Sequence, residues 1–432
     1  MKRNRIYRLT KMVGALVAMS AGTAPAGFAQ GKVVFGEIEV TKVTDGADPG
    51  MFRRAIADAN AKGSATIRFA PGLAGTILLT GGELRITANV TIIGPGADIL
   101  TISGNNASRV FLIETPPGGA ADVVAISGLT IRDGLAGSNA VHPGKGGGIY
   151  VQGANLTLSQ VGLAENLAAG GDAAGGGLYG TSSIVTITGS MINGNQAVVG
   201  DTPAAGGATR GGGIAFDGGS LTLNNNTLAG NQAIGGSTAG GAIAFTGGAS
   251  DTLTIDGNSI SGNQAQGWSG GNARGGALFV SGKLARTEAV VRGTRFVSNI
   301  TGRSNRWGSA DGSSAGGGLF VDNLASVTFV QDAIAGNLLN GPWDLAVNDS
   351  GTAVGGGAYV NTGGALTLSN ASVILNAALP NTFGGTGAPA NSAGGGVFVA
   401  SGGTLVLEGS TTVEQNFARN YPNLYPPPDG KP

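Results

Sequence analysis

Tryptophan occurs three times in this chain of 432 residues, as Trp268, Trp307 and Trp343, and each lies in a glycine-rich polar stretch. Phe383 occupies a comparable place further along. Large rings repeated at such intervals can stack on sugar rings or anchor a protein partner. Arg274, Arg303 and Arg306 lie around Trp268 and Trp307, in a stretch whose one acidic residue is Glu288. Rings beside unbalanced positive charge suit an acidic polysaccharide or a membrane surface. The plainer readings are rings folded onto their own loops and a solvated face with an Arg286–Glu288 cross-turn pair. The expected ligand-binding set is Trp268, Trp307, Trp343, Phe383, Arg274, Arg303 and Arg306.

Catalysis on a polysaccharide needs clustered carboxylates, as an acid–base pair or as metal ligands. Here the acidic residues are scattered. Asp217 and Asp322 each follow a glycine-led strand, but three repeats separate them, roughly 14 Å at one strand spacing per repeat. His142, the one histidine, has no acidic neighbour in sequence and reads as an ordinary loop residue. No Gly-Gly-x-Gly-x-Asp calcium repeat occurs. The expectation is no catalytic residue, no metal and no cofactor.

What positions these residues is a repeat. Glycine makes up 82 of 432 residues, and the glycines recur with a fixed pattern. Eight glycine-led apolar strands begin at Gly146, Gly175, Gly211, Gly240, Gly275, Gly316, Gly355 and Gly394. Each is followed by an asparagine after a short apolar run: Asn166, Asn195, Asn231, Asn263, Asn299, Asn337, Asn376 and Asn416. The distance from strand to asparagine is nearly constant, whereas the stretch from asparagine to the next glycines varies. Within the fixed part lie three β-runs, such as Ile149–Val151, Leu156–Leu158 and Val161–Leu163. None can bury its apolar face alone, so the coils must stack with strands pairing between them. The predicted fold is all-β: a right-handed parallel β-helix with three parallel sheets. The asparagines are expected to form a structural ladder, since asparagine tolerates the left-handed region and its amide can bond to the next coil's amide. The variable loops then emerge at one corner, where function is to be sought.

The middle residue of the glycine-led strand is aromatic in six copies: Tyr150, Tyr179, Phe279, Phe320, Tyr359 and Phe398. Strand alternation turns these rings outward, and the variable loops are expected to cover them, because long bare apolar stripes are rare.

The ends differ in character. Residues 1–29 carry Lys2, Arg3, Arg5, Arg8 and Lys11, then an apolar run, then small residues to Ala29, which is the order of a secretory signal. Five of the 25 basic residues lie there, leaving 20 against 25 acidic ones and a net charge of −5. That argues against nucleic acid as a partner. No later segment has the ~20 apolar residues of a membrane-spanning helix. There is no cysteine, and a chain of this size can bury a core without disulfides. Asp48-Pro49, followed by apolar Phe52, Ala55, Ile56 and Ala59, predicts a short helix capping the N-terminal end of the solenoid. The expected division is signal peptide 1–29, cap and irregular coils 30–115, glycine-rich repeats 116–418, and a proline-rich tail 419–432.

The Gly-Gly-Gly/Ala-aliphatic copies paired with aliphatic-x-x-Asn copies resemble the repeats of polymorphic outer-membrane proteins and other β-helical surface proteins. Phe52-Arg53-Arg54-Ala55-Ile56, Val90–Gly96 and Ile126–Ile131 resemble the region that often precedes them. Asn4-Arg5-Ile6-Tyr7-Arg8-Leu9 is similar to the start of the extended signals of some autotransporter passengers. The chain departs from that pattern in ending on Pro426-Pro427-Pro428 rather than on a membrane barrel. The resemblance implies an exported, non-catalytic, adhesin-like protein, extracellular or at the cell surface, that binds a glycan or a cell-surface protein. The alternatives are a polysaccharide lyase or hydrolase on the same fold, and a structural spacer.

Overall fold

The computed structural model describes residues 36–116, 118–199, 207–268, 271–304, 313–340, 352–379 and 392–426. They form a parallel β-helix. All strand pairings are parallel and join one coil to the next, as in Ile149–Gln152 with Phe111–Glu114 below and Leu178–Thr188 above. The strands fall into sheets of 21, 11, 9 and 6 members rather than three sheets. The first two runs of each coil share the 21-stranded sheet, because Leu178–Thr188 and Ile214–Asn224 pass through the turn as single strands. The third run builds the 11-stranded sheet, and residues just after each repeat asparagine, such as Leu167–Ala169, build the nine-stranded one. The six-stranded sheet lies inside the variable stretches, from Ala208–Arg210 to Ser392–Ala393.

Alternation decides what is buried. Ile149, Val151, Leu156, Leu158 and Leu163 point inward and are buried, and their counterparts stack on them coil after coil as one aliphatic core. Two glycines in each triplet make the tight section possible. Gly146 has φ +61, and a Cβ on Gly147 would overlap the backbone of Leu167 across the same coil.

The eight repeat asparagines are buried. From Asn166 to Asn376, each Nδ2 donates to the Oδ1 of the next asparagine at 2.9 Å. That same Oδ1 also accepts the backbone N–H of the asparagine below. Successive rungs are 29, 36, 32, 36, 38, 39 and 40 residues apart, so the loops absorb every difference in coil length. The left-handed backbone lies one residue earlier than expected, at Glu165, Gly194, Gly230, Gly262, Ser298, Gly336, Leu375 and Gln415. The preceding residue takes the bend, which frees the asparagine to point its amide along the stack.

A second, mixed ladder lines the turn before the third run, where Ser190, Asn226, Asn258 and Thr294 each donate a backbone N–H to the side chain above. Its last rung is Asp332, whose carboxyl accepts the N–H groups of Thr294 and Val330 at 2.6 Å. Burial pushes this carboxyl from 3.8 up to about 6, against the pull of those two donors. Between about pH 4 and 6 the folded chain therefore holds a proton that the unfolded chain has released. The group's stabilisation is present at low pH and lost as pH rises through 6, leaving a buried carboxylate at a cost of about 3 kcal/mol at neutral pH. Urea midpoints of the wild type and Asp332→Asn should diverge across pH 4–7. A constant difference over that range would remove the basis for this account.

Both ends correct the sequence expectations. The helix is Phe52–Lys62, with Phe52, Ala55, Ile56 and Ala59 buried, but Asp48-Pro49 do not start it. Gly50, at φ +83, breaks the helical path, so Met51 is the N-cap and its side chain makes no capping bond. At the other end the expected tail begins as solenoid. Leu424–Tyr425 pairs with Val397–Val399, and Asn423 Oδ1 accepts the N–H of Asn416, closing the ladder.

Candidate functional site

On the outward face of the glycine-led strands, register and alternation align three rows of side chains along the solenoid. The central row is Arg85, Leu112, Tyr150, Tyr179, Ala215, Ala244, Phe279, Phe320, Tyr359, Phe398 and Tyr425. Two residues further along each strand runs a polar row that includes Glu114, Gln152, Thr181, Asp217, Thr246 and Ser281. Asp322 and Asn361 continue it, their backbones bonded to the coils below at Val280 and Val321. On the other side the six-stranded sheet and its extensions contribute Lys145, Ala174, Arg210, Ala239, Arg274, Ala315 and Val354.

The rings form two stacks. Tyr150 and Tyr179 lie 5.5 Å apart, and Phe279, Phe320, Tyr359, Phe398 and Tyr425 follow at 4.6–5.5 Å. Between them stand Ala215 and Ala244, where the rings move inside the wall as Phe216 and Phe245, stacked at 5.9 Å. Tyr150, Tyr179, Phe279 and Phe320 are buried, whereas Tyr359, Phe398 and Tyr425 are half-buried. Cover comes partly from cations: the Arg109 Cζ sits 5.3 Å from the Tyr150 ring, Lys145 Nζ 5.4 Å from Tyr179, and Arg274 Cζ 5.5 Å from Phe320.

Charge gathers at the N-terminal stack. His142 lies flat on Tyr150 with ring centres 3.9 Å apart, and its Nε2 is 2.7 Å from Glu114 Oε1. It is thus no isolated loop residue. Its acidic partner comes from the coil below, 28 residues earlier in the chain. Arg85 approaches the other Glu114 oxygen at 3.3 Å. The Tyr150 hydroxyl donates to Gln152 Oε1 at 2.8 Å, and burial pushes this phenol up to about 12, with Tyr179 and Glu114 adding to the shift. Tyr179 is raised by burial and by Asp217, and Lys145 is lowered by burial and by Arg210. Asp217 Oδ1 meets Lys283 Nζ at 3.2 Å. At the second stack, Asn361 Nδ2 donates to Asp322 Oδ1 at 2.7 Å, beside Ser281.

Arg109 is the buried post beneath this arrangement, with none of its side chain exposed. It binds Glu83 Oε2 at 2.5 Å and holds the carbonyls of His142, Lys145 and Gly146 at 2.9 Å. It thereby fixes the segment that carries His142 and Lys145.

The residues expected to bind ligand are only partly assembled. Trp268 ends the strand Gln264–Trp268, half-buried and paired with Ser304. Arg274 faces outward over Phe320. The side chain of Arg303, together with Arg306, Trp307, Trp343 and Phe383, lies outside the described residues. Among the described residues no ion pair joins Arg286 to Glu288, and no group of three His, Cys, Asp or Glu side chains could hold a metal ion. Nor is any described helix long and apolar enough to cross a membrane.

No family model and no curated protein matches the chain. Among solved structures, the tailspike protein gp49 from the Acinetobacter baumannii bacteriophage Fri1, a capsular polysaccharide depolymerase, is 10% identical with a TM-score of 0.38. The similarity covers 90% of this chain and 65% of that tailspike, just under two thirds of its length. The pectate lyase Pel9A is 14% identical over 89% of this chain and 79% of its own, with a TM-score of 0.31. Likenesses at this level carry no argument about activity. The stacked parallel coils themselves make the chain a parallel β-helix.

Proposed function

We propose that this chain is an exported, adhesin-like β-helix that binds a glycan along the outward face of its glycine-led strands. One observation carries the reading: partly covered aromatic stacks run between a row holding Lys145, Arg210 and Arg274 and a row holding Glu114, Asp217, Asp322 and Asn361. Sugars offer C–H faces to rings and hydroxyls to carboxylates, amides and guanidinium groups, so ring and polar rows side by side fit them. The half-buried Tyr359 and Phe398, with Asn361 and Asp322 beside them, are the most accessible part. The variable-loop corner with Trp268, Trp307, Trp343, Phe383, Arg303 and Arg306 is proposed as an adjoining contact area, for the same glycan or for a cell-surface protein. The resemblance to polymorphic outer-membrane repeats and the signal-like first 29 residues support a surface or secreted location.

Arg274→Ala should weaken retention on an immobilised acidic polysaccharide, and Asp322→Asn retention on a neutral one, each by roughly tenfold, about 1.4 kcal/mol. Unchanged retention of both variants would rule this face out. A second reading, cleavage of the polysaccharide, has one specific support: His142, Glu114, Tyr150 and Arg109 meet at one place, where burial raises the Tyr150 phenol and lowers the Arg109 guanidinium. A fall in polysaccharide size on incubation with the protein would favour that reading over simple binding. Neither binding nor cleavage would leave a structural spacer.

A further inference from the structure

The nine-stranded sheet begins at Leu135–Ala136, in the coil that Phe111–Glu114 opens, whereas the glycine-led column already contains Leu84–Ile86 one coil below. The coil that ends at Arg109 thus has no strand in that sheet. Under the first one opens a cleft of about 410 Å³, lined by Glu83, Ser108, Arg109, Leu135, Asn139 and Val141 among others. That lies within the usual size of a small-ligand site.

Its polar groups define what could enter. Ser108 Oγ is withdrawn from solvent and has no hydrogen-bond partner among the described residues, a cost a ligand hydroxyl would relieve. All three guanidinium nitrogens of Arg109 already donate, to Glu83 and to three carbonyls. Arg109 therefore neutralises the cleft with four of its five N–H groups engaged. Glu83 gives Oε2 to Arg109, and its Oε1 accepts no hydrogen bond among the described residues. An anion entering here would face the Glu83 carboxylate, and a cation would lie beside a buried guanidinium. A neutral molecule rich in hydroxyls can donate to Glu83 and pair with Ser108 together.

We infer that this cleft is a binding site for one neutral sugar unit. The inference rests on the reading of the chain as a glycan binder and adds a second site to it, one coil below the aromatic face.

Saturation-transfer NMR with the full chain, using methyl α-glucopyranoside, methyl β-galactopyranoside and glucuronate as probes, tests it. At least one neutral glycoside should bind saturably and glucuronate more weakly. Ser108→Ala, which removes an unpaired hydroxyl, should weaken the glycoside by roughly fivefold or more. Ala140→Trp should block the cleft, with thermal melting to show that both variants fold. Neither neutral probe binding, equal binding by both variants, or preference for glucuronate would overturn the inference. If polysaccharide retention still depends on Arg274 in that event, the cleft falls and the face stands. If the glycoside binds as expected while Arg274→Ala and Asp322→Asn retain polysaccharide normally, the face falls and the cleft stands.

Discussion

Asn299→Ala is expected to lower the unfolding free energy by about 4 kcal/mol, although it removes only a small polar side chain. Asn299 is fully buried. Its Oδ1 accepts two bonds, from the backbone N–H and the Nδ2 of Asn263. Its Nδ2 donates twice, to Asn337 Oδ1 and to the carbonyl of Ile260. Alanine leaves the backbone N–H of Asn263 without its acceptor and the Ile260 carbonyl without this donor, while Asn263 Nδ2 and Asn337 Oδ1 lose one bond each and keep others, in a core with no described polar group to replace it. Unsatisfied buried groups each cost about 1–3 kcal/mol, and the neighbours recover part of that by relaxing. Stacked repeats are stabilised mainly through their nearest neighbours, so the break divides the array at one interface. Denaturant midpoints, with the slope checked for a change in cooperativity, provide the measurement. Asn416→Ala supplies a comparison at the end of the ladder, where the side chain is no longer fully buried and its Nδ2 lies 3.4 Å from Asn423 Oδ1. It should cost about half as much. Equal small losses at both positions would mean that the amide stack contributes little beyond the strands.

The contrast between these two asparagines shows what a repeat makes legible. Fixed spacing from glycine-led strand to asparagine announces a register, and register with alternation yields the core, the buried asparagines and the outward aromatic row. The asparagine amides could be matched without seeing the coils because every rung has the same sequence surroundings. The candidate site could not. Glu83, Arg85, Arg109 and Glu114 lie in coils before the first glycine triplet, where no mark fixes the register. His142 meets Glu114 across 28 residues, and Arg109 meets Glu83 across 26. Two signals in the sequence point there: charged Glu114 ends an otherwise apolar strand, and tyrosine rather than phenylalanine fills the central row at Tyr150 and Tyr179. The number of sheets was likewise hidden, because a turn crossed by one continuous strand, as in Leu178–Thr188, reads as two runs. The helix starts later than Asp48-Pro49 implies because proline and aspartate are generic start signals, whereas Gly50 holds φ +83 close against Thr41.

Arg109→Ala is expected to cost about 4 kcal/mol and to release the segment 137–146. Pairing of Phe111 with Ile149 puts Arg109 at the position that Gly147 occupies one coil later. At Gly147 a side chain would overlap the strand after the first repeat asparagine. Arg109 instead carries a long side chain there, and its guanidinium links the irregular coils to the carbonyls of Lys145 and Gly146 at the first glycine triplet. Removing it strands the Glu83 carboxylate and leaves the carbonyls of His142, Lys145 and Gly146 without their charged donor. The segment would then lose its anchor, and His142 its fixed place on Tyr150. Adding Glu83→Gln to Arg109→Ala should recover about 1 kcal/mol, because part of the loss is an unpaired carboxylate rather than missing packing. Denaturation of the single and double variants gives that coupling. Limited proteolysis should find new cleavage between residues 137 and 146 in both. If Arg109→Ala unfolds at the wild-type midpoint with that segment still protected, Arg109 is not the post that holds the site.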